Sequence, residues 1–564
     1  MIKKWEYYEA DEKELEKVMS ENNISELLAR ILINRNLKES ERIKKFLYPK
    51  IDDLYDPFLI NDMQIAVDRI IEAYEHKEKI TIYGDYDVDG ITSIAVLKKF
   101  LDELGANVGY YLPSRLEEGY GLNNEAIKKI KENGTNLLIT VDCGISAHDE
   151  IEYAKSLGME VIVTDHHECP EEMPNTIAVI DPKRRDNTYP FNSLAGVGVT
   201  FKLIQAISLK LGLDRKKYLK YLDIVCLGTV ADIVPLVDEN RVIVKYGLML
   251  VKETRNIGLK ALIKLAGYEK IDSGLISFGL APRMNACGRM GKADLALELL
   301  LTNDLNKAEE IAKELNEINR ERQEVEKRIM NEAIKIIEEK KLYEDDVIVV
   351  GEEGWHHGVI GIVASKITEM YYKPSILVCF EGNEGKGSGR SIEGFDLHKA
   401  LSVCGKDLLR FGGHEMAIGL TVKKENFEDF RRDINEYAAT VIDKESVPTI
   451  KIDSYIDSNS ISMERLSELE IIEPYGEANP MPTFVYKNIK VNGIRALSNN
   501  KHLKLLLKDG SNVYDAIAFN MGDKQYSIKI GDKIDVLHYL DINRFNNIEK
   551  IQFNVKDIKK SLWS

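Results

Sequence analysis

The chain of 564 residues lacks any hydrophobic run long enough to cross a membrane, which takes about 18 apolar residues. Its first seven residues turn charged and polar where a secretory signal would be apolar, so we expect a cytoplasmic protein with no membrane association. The six cysteines are far apart and form no C-x-x-C pair, which argues against a zinc-thiolate site or a redox motif. We expect them to be reduced, structural thiols.

Positive charge is also scarce. The net charge is −16, whereas a nucleic-acid-binding protein usually shows a basic excess. The charge is unevenly distributed, however. Residues 483–564 contain twelve lysines and two arginines against seven aspartates and one glutamate, so this tail is +6 and the remainder is −22. A negative body with a basic end suits a metal-dependent enzyme that holds a polyanion elsewhere on its surface.

The length exceeds the roughly 250–300 residues that one hydrophobic core can serve, so several domains are expected. From Lys79 onward, apolar β-rich runs alternate with amphipathic helical patterns, which is typical of a parallel α/β sheet. Short alternating runs in the tail predict a small β-barrel. We predict five segments: a helical N-terminal segment at 1–60, an α/β catalytic domain at 61–302, a long connector helix at 303–341, a smaller α/β domain at 342–445 and a barrel at 446–564.

Acidic and histidine residues follow the strands of the predicted sheet. The segment Gly84-Asp85-Tyr86-Asp87-Val88-Asp89-Gly90 follows the first strand, Asp142 the third and Asp165-His166-His167 the fourth. Because ligands bind beyond the carboxyl ends of parallel strands, these groups are expected to converge. Asp232 comes after an apolar helical run, and Pro235 predicts a helix end that could turn the Asp232 carboxylate toward the same edge.

This set of groups predicts a metal site. An EF-hand calcium loop also opens with D-x-D-x-D-G, but no helix precedes this segment and no Glu stands six residues after Gly90. Carboxylates mixed with histidine favour Mn²⁺ or Mg²⁺ over zinc-thiolate chemistry. Two such ions about 3.5–4 Å apart would activate a water and stabilise both oxygens of an in-line displacement at phosphorus. The pattern therefore predicts an enzyme that cuts phosphodiester bonds.

The order of these groups resembles the DHH phosphoesterase superfamily, and further motifs are similar to those of its RecJ branch, the single-strand-specific 5′ to 3′ exonucleases. These motifs are GVGV at 196–199, GTVAD at 228–232, PRMNACGR at 282–289, WHHGVIG at 355–361, GSGR at 387–390 and GGH at 412–414. The similarity extends over nearly the whole chain from about residue 40. It implies a parallel-sheet DHH domain, a DHH-associated domain and a C-terminal OB-fold.

The resemblance also implies how two cations are held, with one aspartate bridging them. The first would be bound by Asp87, Asp142, His166 and Asp232, and the second by Asp85 and Asp142. His167 would contact the scissile phosphate or assist proton transfer. Pyrophosphatase relatives have a further histidine at the position of Thr81, so Asp89 or a water would have to complete the first site.

A pocket for a 5′-terminal phosphate is implied by Arg115, Ser388 and Arg390. We expect the glycine-rich segment around Ser388 to be a flexible loop whose backbone amides approach phosphate oxygens while the guanidinium binds them. His414 resembles the phosphate-contacting histidine of the DHH-associated domain. Arg283 and Arg289 could line the path of the strand or form structural ion pairs.

These features predict a single-stranded-DNA-specific 5′ to 3′ exonuclease that releases mononucleotides in recombination and repair. The OB-fold would track the strand by charge and by stacking on aromatic side chains such as Tyr514, Phe519, Tyr539 and Phe545. We expect a monomer, and the resemblance implies a RecQ-like helicase and a single-strand-binding protein as partners. One alternative is a phosphodiesterase of short oligoribonucleotides or cyclic dinucleotides, which would not need the basic barrel. Another is a non-catalytic strand-binding replication subunit, which the complete ligand set disfavours.

Overall fold

A computed structural model describes residues 3–9, 11–115, 118–119, 121–443, 447–545 and 548–561. The N-terminal segment contains β1 (Lys4–Tyr7), α1 (Glu12–Asn22), α2 (Glu26–Asn34) and α3 (Ser40–Leu47). These helices do not form a core of their own. Leu28 and Phe46 share one hydrophobic core with Phe484 and Phe553 of the C-terminal barrel. The two ends of the chain are therefore built as one unit.

The catalytic domain is built on a sheet of five parallel strands, with the spatial order β3-β2-β4-β5-β6. Its elements are α4 (Met63–Glu75), β2 (Ile80–Gly84), α5 (Val88–Leu104), β3 (Val108–Tyr111), α6 (Asn124–Glu132), β4 (Leu137–Val141), α7 (His148–Ser156), β5 (Glu160–Thr164) and β6 (Ala178–Ile180). Every residue of β2 and β4 is buried, as expected for central strands covered by helices on both faces. The strand order reverses between β2 and β4, which is where open α/β sheets bind ligands.

A helical layer completes this domain and leads into the connector. It comprises α8 (Gly196–Lys210), α9 (Lys216–Leu219), α10 (Leu222–Ala231), α11 (Asp238–Lys252), α12 (Ile257–Ala266), a π-helical segment (Leu275–Leu280), α13 (Ala281–Arg289), α14 (Ala293–Leu301) and α15 (Leu305–Glu339). Asp304 caps α15 by accepting hydrogen bonds from the amides of Asn306 and Lys307. Leu315 of α15 packs into the catalytic core and Ile337 into the next domain, so the predicted connector helix is confirmed.

The second domain contains β7 (Ile348–Glu353), α16 (His357–Tyr371), β8 (Ser375–Glu381), β9 (Glu384–Arg390), α17 (Leu397–Cys404), β10 (Leu408–His414), β11 (Ala417–Lys423) and α18 (Phe427–Val441). Its sheet has the order β10-β11-β9-β8-β7, and β7 and β8 are parallel to each other.

The predicted flexible glycine loop around Ser388 is wrong, because this segment is strand β9. The alternate residues Gly385, Gly387 and Gly389 face the core, where an added Cβ would stand 2.5–2.7 Å from the side chains of Val378, Leu420 and Ile418. These glycines allow close packing of the sheet, and the polar residues between them face the other side.

The C-terminal part is a closed five-stranded barrel, as predicted. Its elements are β12 (Thr449–Ile452), β13 (Ser454–Ile456), α19 (Met463–Glu470), β14 (Phe484–Leu497), β15 (His502–Asp509), β16 (Asn512–Ala518), β17 (Lys533–Phe545) and β18 (Ile548–Lys560). The barrel closes where β17 pairs with β14, while β13 lies parallel beside β14 and β12 pairs with β1. Within the described ranges, no helix has the length and apolar character needed to span a bilayer.

Candidate metal centre and phosphate-binding face

The acidic segment after β2 is a tight turn that leads into α5. Asp87 is the N-cap of α5, and its carboxylate accepts hydrogen bonds from the amides of Asp89 at 2.9 Å and Gly90 at 3.1 Å. Gly90 must be small here, since an added Cβ would lie 2.3 Å from the carbonyl oxygen of Asp85. The turn thereby places the Asp85 and Asp87 carboxylates beyond the carboxyl end of the sheet.

Asp142 follows the adjacent strand β4 in an unusual conformation. Its φ of +59° lies in the left-handed region, which is uncommon for non-glycine residues, although aspartate adopts it more often than most. The backbone of Gly196, the first residue of α8, passes directly beside it. An added Cβ on Gly196 would stand 2.5 Å from Asp142 Oδ1. The first glycine of the GVGV motif therefore makes room for this carboxylate.

Asp89 has a different task from its neighbours. Its two carboxylate oxygens accept hydrogen bonds from the amides of Gly196 at 2.6 Å and Val197 at 2.9 Å. It thus anchors the N-terminus of α8 to the start of α5. One of its oxygens is also 3.8 Å from His166 Nε2, so its predicted part in metal binding stays a prediction.

His166 and Asp232 complete the cluster from two further elements. His166 Nε2 lies 3.1 Å from Asp142 Oδ1 and 3.6 Å from Asp232 Oδ2. Asp232 is the C-cap of α10, and Ile233 directly after it adopts a φ of +61°, so the chain turns at the helix end as the sequence predicts. Burial lowers the pKa of His166 to about 3, which keeps its imidazole neutral, the form that binds metals.

Ligand atoms that could share a cation fall into three overlapping groups, in each of which they lie within 4.8 Å of one another. These groups are Asp85, Asp87 and Asp142; Asp142, His166 and His167; and Asp89, His166 and Asp232. Asp142 belongs to two of them, as a bridging ligand would. Asp87 stands with Asp85, whereas the family resemblance assigns it to the cation of His166 and Asp232. Thr81 is buried, and its hydroxyl is 2.7 Å from that of Thr135.

The donor atoms of this cluster fit divalent cations. Asp85 Oδ1, Asp142 Oδ1 and His166 Nε2 are buried and have no hydrogen-bond partner among the described residues. Burial and then the neighbouring carboxylates raise the pKa values of Asp85 and Asp142 well above the ordinary range, and the pKa of Asp232 to about 9. Bound cations would supply both the missing partners and the missing countercharge, and oxygen-rich sets with one histidine suit Mn²⁺ or Mg²⁺.

The His167 ring lies beside that of His166, with their centroids 4.5 Å apart, and is held by Asp165. The Asp165 carboxylate lies 2.7 Å from His167 Nδ1 and also accepts hydrogen bonds from the amides of Ile145 and His166. Burial lowers the pKa of His167, but the bond to Asp165 and its charge outweigh this and raise the pKa to about 9. Asp165 is a positioning residue whose role we did not predict, although it opens the D-H-H motif.

Arginines from both domains converge beside the acidic cluster. Arg115 lies over the Tyr86 ring at 5.1 Å. Burial and then Arg115 lower the pKa of Arg390, and burial followed by Arg115, Arg322 and Arg390 lowers that of Arg289 to about 10. Arg322 pairs with a glutamate, but no ion pair joins Arg115, Arg289 or Arg390 to a described carboxylate. Such a cluster is suited to a polyanion.

The predicted phosphate contacts of the second domain share one face of its sheet. Arg390, Ala417 and His414 lie opposite one another on β9, β11 and β10, and the next row contains Ser388, Gly419 and Gly412. The Arg390 Nη1 and Ser388 Oγ atoms are 3.2 Å apart. Gly361 in α16 leaves room for this pair, because an added Cβ would lie 3.0 Å from Ser388 Oγ. The structure therefore places Ser388 and Arg390 in contact and His414 on the same face of the sheet, two strands away.

The PRMNACGR motif contacts the backbone of the acidic turn between β2 and α5. Asn285 accepts a hydrogen bond from the amide of Val88, and an added Cβ on Gly288 would stand 2.7 Å from the carbonyl oxygen of Tyr86. Arg283 donates hydrogen bonds to Asn316 and to the Gly279 carbonyl, so neither predicted role, strand contact or ion pair, is visible for it. The supporting roles of Asn285 and Gly288 carry no chemical signal in the sequence.

Comparisons with known proteins match three parts of the chain. Residues 79–229 match the DHH family N-terminal domain, 344–440 the DHHA1 domain and 452–557 the RecJ OB domain. The single-stranded-DNA-specific exonuclease RecJ of Bacillus subtilis is 40% identical over 99% of this chain and 71% of its own length, and that of Haemophilus influenzae is 35% identical over 94% and 96%. Crystal structures of Thermus thermophilus RecJ with Mn²⁺ and with Mg²⁺ superpose with TM-scores of 0.85 and 0.80. They are 30% and 29% identical, and they cover 99% of this chain and 79% and 78% of theirs.

Proposed function

The chain belongs to the RecJ family of metal-dependent, single-stranded-DNA-specific exonucleases, and from that premise we propose that it degrades strands from the 5′ end and releases mononucleotides. One observation carries the proposal. The catalytic domain holds three buried, unpartnered ligand atoms, on Asp85, Asp142 and His166, and Arg115 acts electrostatically on both the Asp85 carboxylate and Arg390 of the second domain. A strand end anchored on the second domain would therefore present its first internal phosphate to the metal-binding groups.

Each member of the acidic cluster has a distinct part in this proposal. Asp85, Asp87, Asp142, His166 and Asp232 would hold two divalent cations, Mn²⁺ or Mg²⁺, with Asp142 between them. When bound, the cations supply an activated water and stabilise charge at phosphorus. Asp165 fixes the His167 ring, which would contact the scissile phosphate or transfer a proton to the departing 3′ oxygen. Asp89 keeps the N-terminus of α8, and with it Gly196, against the cluster.

The direction of degradation would follow from the phosphate-binding face. Ser388, Arg390 and His414 lie on one side of the second domain, and Arg115 reaches toward them from the catalytic domain. A phosphate monoester at a 5′ end carries more charge than an internal diester, so an arginine cluster with no carboxylate partner among the described residues would select it. Arg289 would stabilise the following phosphate.

The barrel would hold the strand farther from its end. It carries the basic excess of the chain, and Phe519 is 52% exposed, as a stacking residue must be. Tyr514 is buried against Phe553 and serves the core, Tyr539 lies under Lys556, and the side chain of Phe545 is outside the described residues. Closed RecJ-type barrels are not required by the alternative phosphodiesterases, which further supports the exonuclease.

We also propose the cellular setting that such an activity implies. The protein would act in the cytoplasm as a monomer in DNA recombination and repair. A RecQ-like helicase would supply single strands, and a single-strand-binding protein would present them. These partners are implied by the family resemblance, and they agree with an exonuclease specific for single strands, which needs unwound DNA.

The test uses the full chain with Mn²⁺ and oligonucleotides labelled at one end. We expect release of mononucleotides from single-stranded DNA starting at the 5′ end, slow cleavage of duplex and RNA, and loss of activity in Asp142→Ala. Arg390→Gln should reduce the preference for a 5′-phosphate over a 5′-hydroxyl end, whereas Lys399→Gln, an exposed change on the opposite face of the sheet, should not. Degradation from the 3′ end, or full activity in Asp142→Ala, would contradict the proposal.

A further inference from the structure

The phosphate-binding face continues past the residues needed for a single phosphate. Beyond the rows of Arg390 and Ser388 lies a third row in which Lys386, Thr421 and Arg410 stand opposite one another on β9, β11 and β10. Side chains two residues apart on a strand point to the same face at a spacing of about 6.6 Å, so this row is about 13 Å from that of Arg390. All three rows lie on one side of the sheet.

A cavity of about 580 Å³ covers this third row and extends toward the catalytic domain. Its cationic lining consists of Lys386, Arg410 and Arg115. The floor between the third row and Ser388 is open, because an added Cβ on Gly412 or Gly419 would meet nothing within 4 Å. The missing side chains at these glycines therefore leave a clear path along the sheet from Ser388 to the two outer cations.

The charges of this cavity are not compensated by the protein. Arg410 donates a hydrogen bond to the Thr421 hydroxyl, and no carboxylate among the described residues forms an ion pair with Arg115, Lys386 or Arg410. The lining contains one described acid, Glu118, whose oxygens already accept hydrogen bonds from Tyr111, Ser114 and Asn123. Arg115 and Lys386 are half-buried, whereas Arg410 is exposed. Half-buried cations without partners are costly, and an anionic ligand would remove that cost.

His357 adds a neutral polar group to the same lining. It is the first residue of α16, and its Nδ1 atom is buried without a described hydrogen-bond partner. Burial, and then the charges of Lys386 and Arg115, lower its pKa to about 4. A neutral imidazole can donate a hydrogen bond to a phosphate oxygen, so this atom also points to a ligand with several oxygens.

We propose that this cavity accepts the outer phosphates of a strand that ends in a 5′-diphosphate or 5′-triphosphate. The inference rests on the proposed anchoring of the 5′ end by Arg115, Ser388 and Arg390, because the innermost phosphate would occupy that place. The β and γ phosphates would extend over Gly419 and Gly412 to Lys386 and Arg410. A strand with such an end is therefore a substrate, and its end need not be trimmed first.

The reaction itself is unchanged by the additional phosphates. A water oxygen bonds to the phosphorus that links the first two nucleotides, the bond from this phosphorus to the 3′ oxygen of the first nucleotide breaks, and that oxygen takes up a proton. The first product is then a nucleoside triphosphate, and the shortened strand has a 5′-monophosphate. Every later cycle releases a mononucleotide.

The experiment compares the first turnover on one single-stranded DNA sequence with a 5′-monophosphate or a synthetic 5′-triphosphate end. We expect the intact enzyme to remove both first nucleotides at rates within about fivefold, with a nucleoside triphosphate as the first product in chromatography. The double variant Lys386→Gln, Arg410→Gln should lower kcat/KM on the triphosphate end about tenfold or more, and on the monophosphate end less than about threefold. Lys399→Gln serves as the matched control.

The outcomes separate this inference from the proposed function. A triphosphate end that is removed more than tenfold more slowly than a monophosphate end by the intact enzyme overturns the inference and leaves the exonuclease intact. Equal losses on both ends in the double variant also overturn it, since the two cations would then serve the first phosphate. Failure of the intact enzyme on the monophosphate end would instead refute the proposed function.

Discussion

Gly196→Ala tests whether the backbone of α8 sets the position of the bridging carboxylate. The new methyl group would stand 2.5 Å from Asp142 Oδ1 and 2.7 Å from Asp142 Cβ, distances that real Cβ contacts essentially never show. One of the two must move by more than half an ångström. The amide of Gly196 is held by Asp89 at 2.6 Å, so the Asp142 side chain is the easier one to displace.

The expected cost falls on activity more than on stability. A displacement approaching 1 Å of a catalytic group costs about a hundredfold in rate, or about 2.7 kcal/mol in the activation barrier. The free energy of unfolding should change less, because overpacking costs about 1–3 kcal/mol while alanine is about 1 kcal/mol better than glycine within a helix. Exonuclease rates over a Mn²⁺ titration, together with thermal unfolding, measure the two effects separately.

Gly198→Ala is the matched control within the same helix. Its added Cβ would lie 3.3 Å from the Leu194 side chain, a contact that a flexible neighbour can relieve. This variant should retain activity within about threefold. If Gly196→Ala kept wild-type kcat and Mn²⁺ dependence, the position of Asp142 would not depend on α8 and the reasoning would be refuted.

Three further perturbations test the electrostatics of the metal centre and the hydrogen bonds that Arg241 makes to neighbouring segments. The pKa of Asp232 is raised to about 9, so the metal-free protein should lose stability as the pH rises from about 4 through 9. Mn²⁺ should therefore raise the Tm more at pH 8.5 than at pH 5.5, and equal increases in Tm at the two pH values would contradict this. Asp165→Asn should lower kcat and should also lower the pKa of His167, which moves the alkaline limit of the pH–rate profile to lower pH. The Mn²⁺ concentration required should change little. An unchanged alkaline limit would exclude His167 as the group that transfers the proton. Arg241→Met should lower the free energy of unfolding by about 3 kcal/mol in denaturant titrations, because the buried guanidinium donates hydrogen bonds to the carbonyls of Phe46 and Glu473. The exonuclease rate per folded molecule should be retained. An unchanged free energy of unfolding would show that these hydrogen bonds do not stabilise the fold.

The rule that ligands bind beyond the carboxyl ends of parallel strands accounts for most of what the sequence could predict about the site. Predominantly apolar runs identified β2, β4 and β5, and parallel pairing then required their following residues to meet at one edge. Asp232 was predicted with less support, because a helix end can point in several directions. The α10 C-cap and the left-handed Ile233 show what fixes it.

The sequence was a poorer guide to the structure where glycines allow close packing between elements. The same glycine spacing can produce a flexible phosphate loop or a strand pressed against large side chains, and only the neighbouring strands decide between them. In β9 these neighbours are Val378, which comes seven residues before Gly385 on the preceding strand, and Leu420, which comes 33 residues after Gly387. Gly196 is a similar case, since its partner Asp142 comes from another element. Contacts between distant residues leave no local periodicity to read.

The net charge of −16 and a polyanionic substrate are compatible because the field at the site differs from the total. Many acidic residues form local ion pairs, such as Glu317 with Arg320 on the exposed side of α15. The carboxylates of the metal centre are offset by cations when these are bound. What remains between the two domains is a group of arginines with no carboxylate partners among the described residues, so a strand approaching the cleft meets positive charge. Total charge therefore says little about substrate here, and the pairing of each charged side chain says much more.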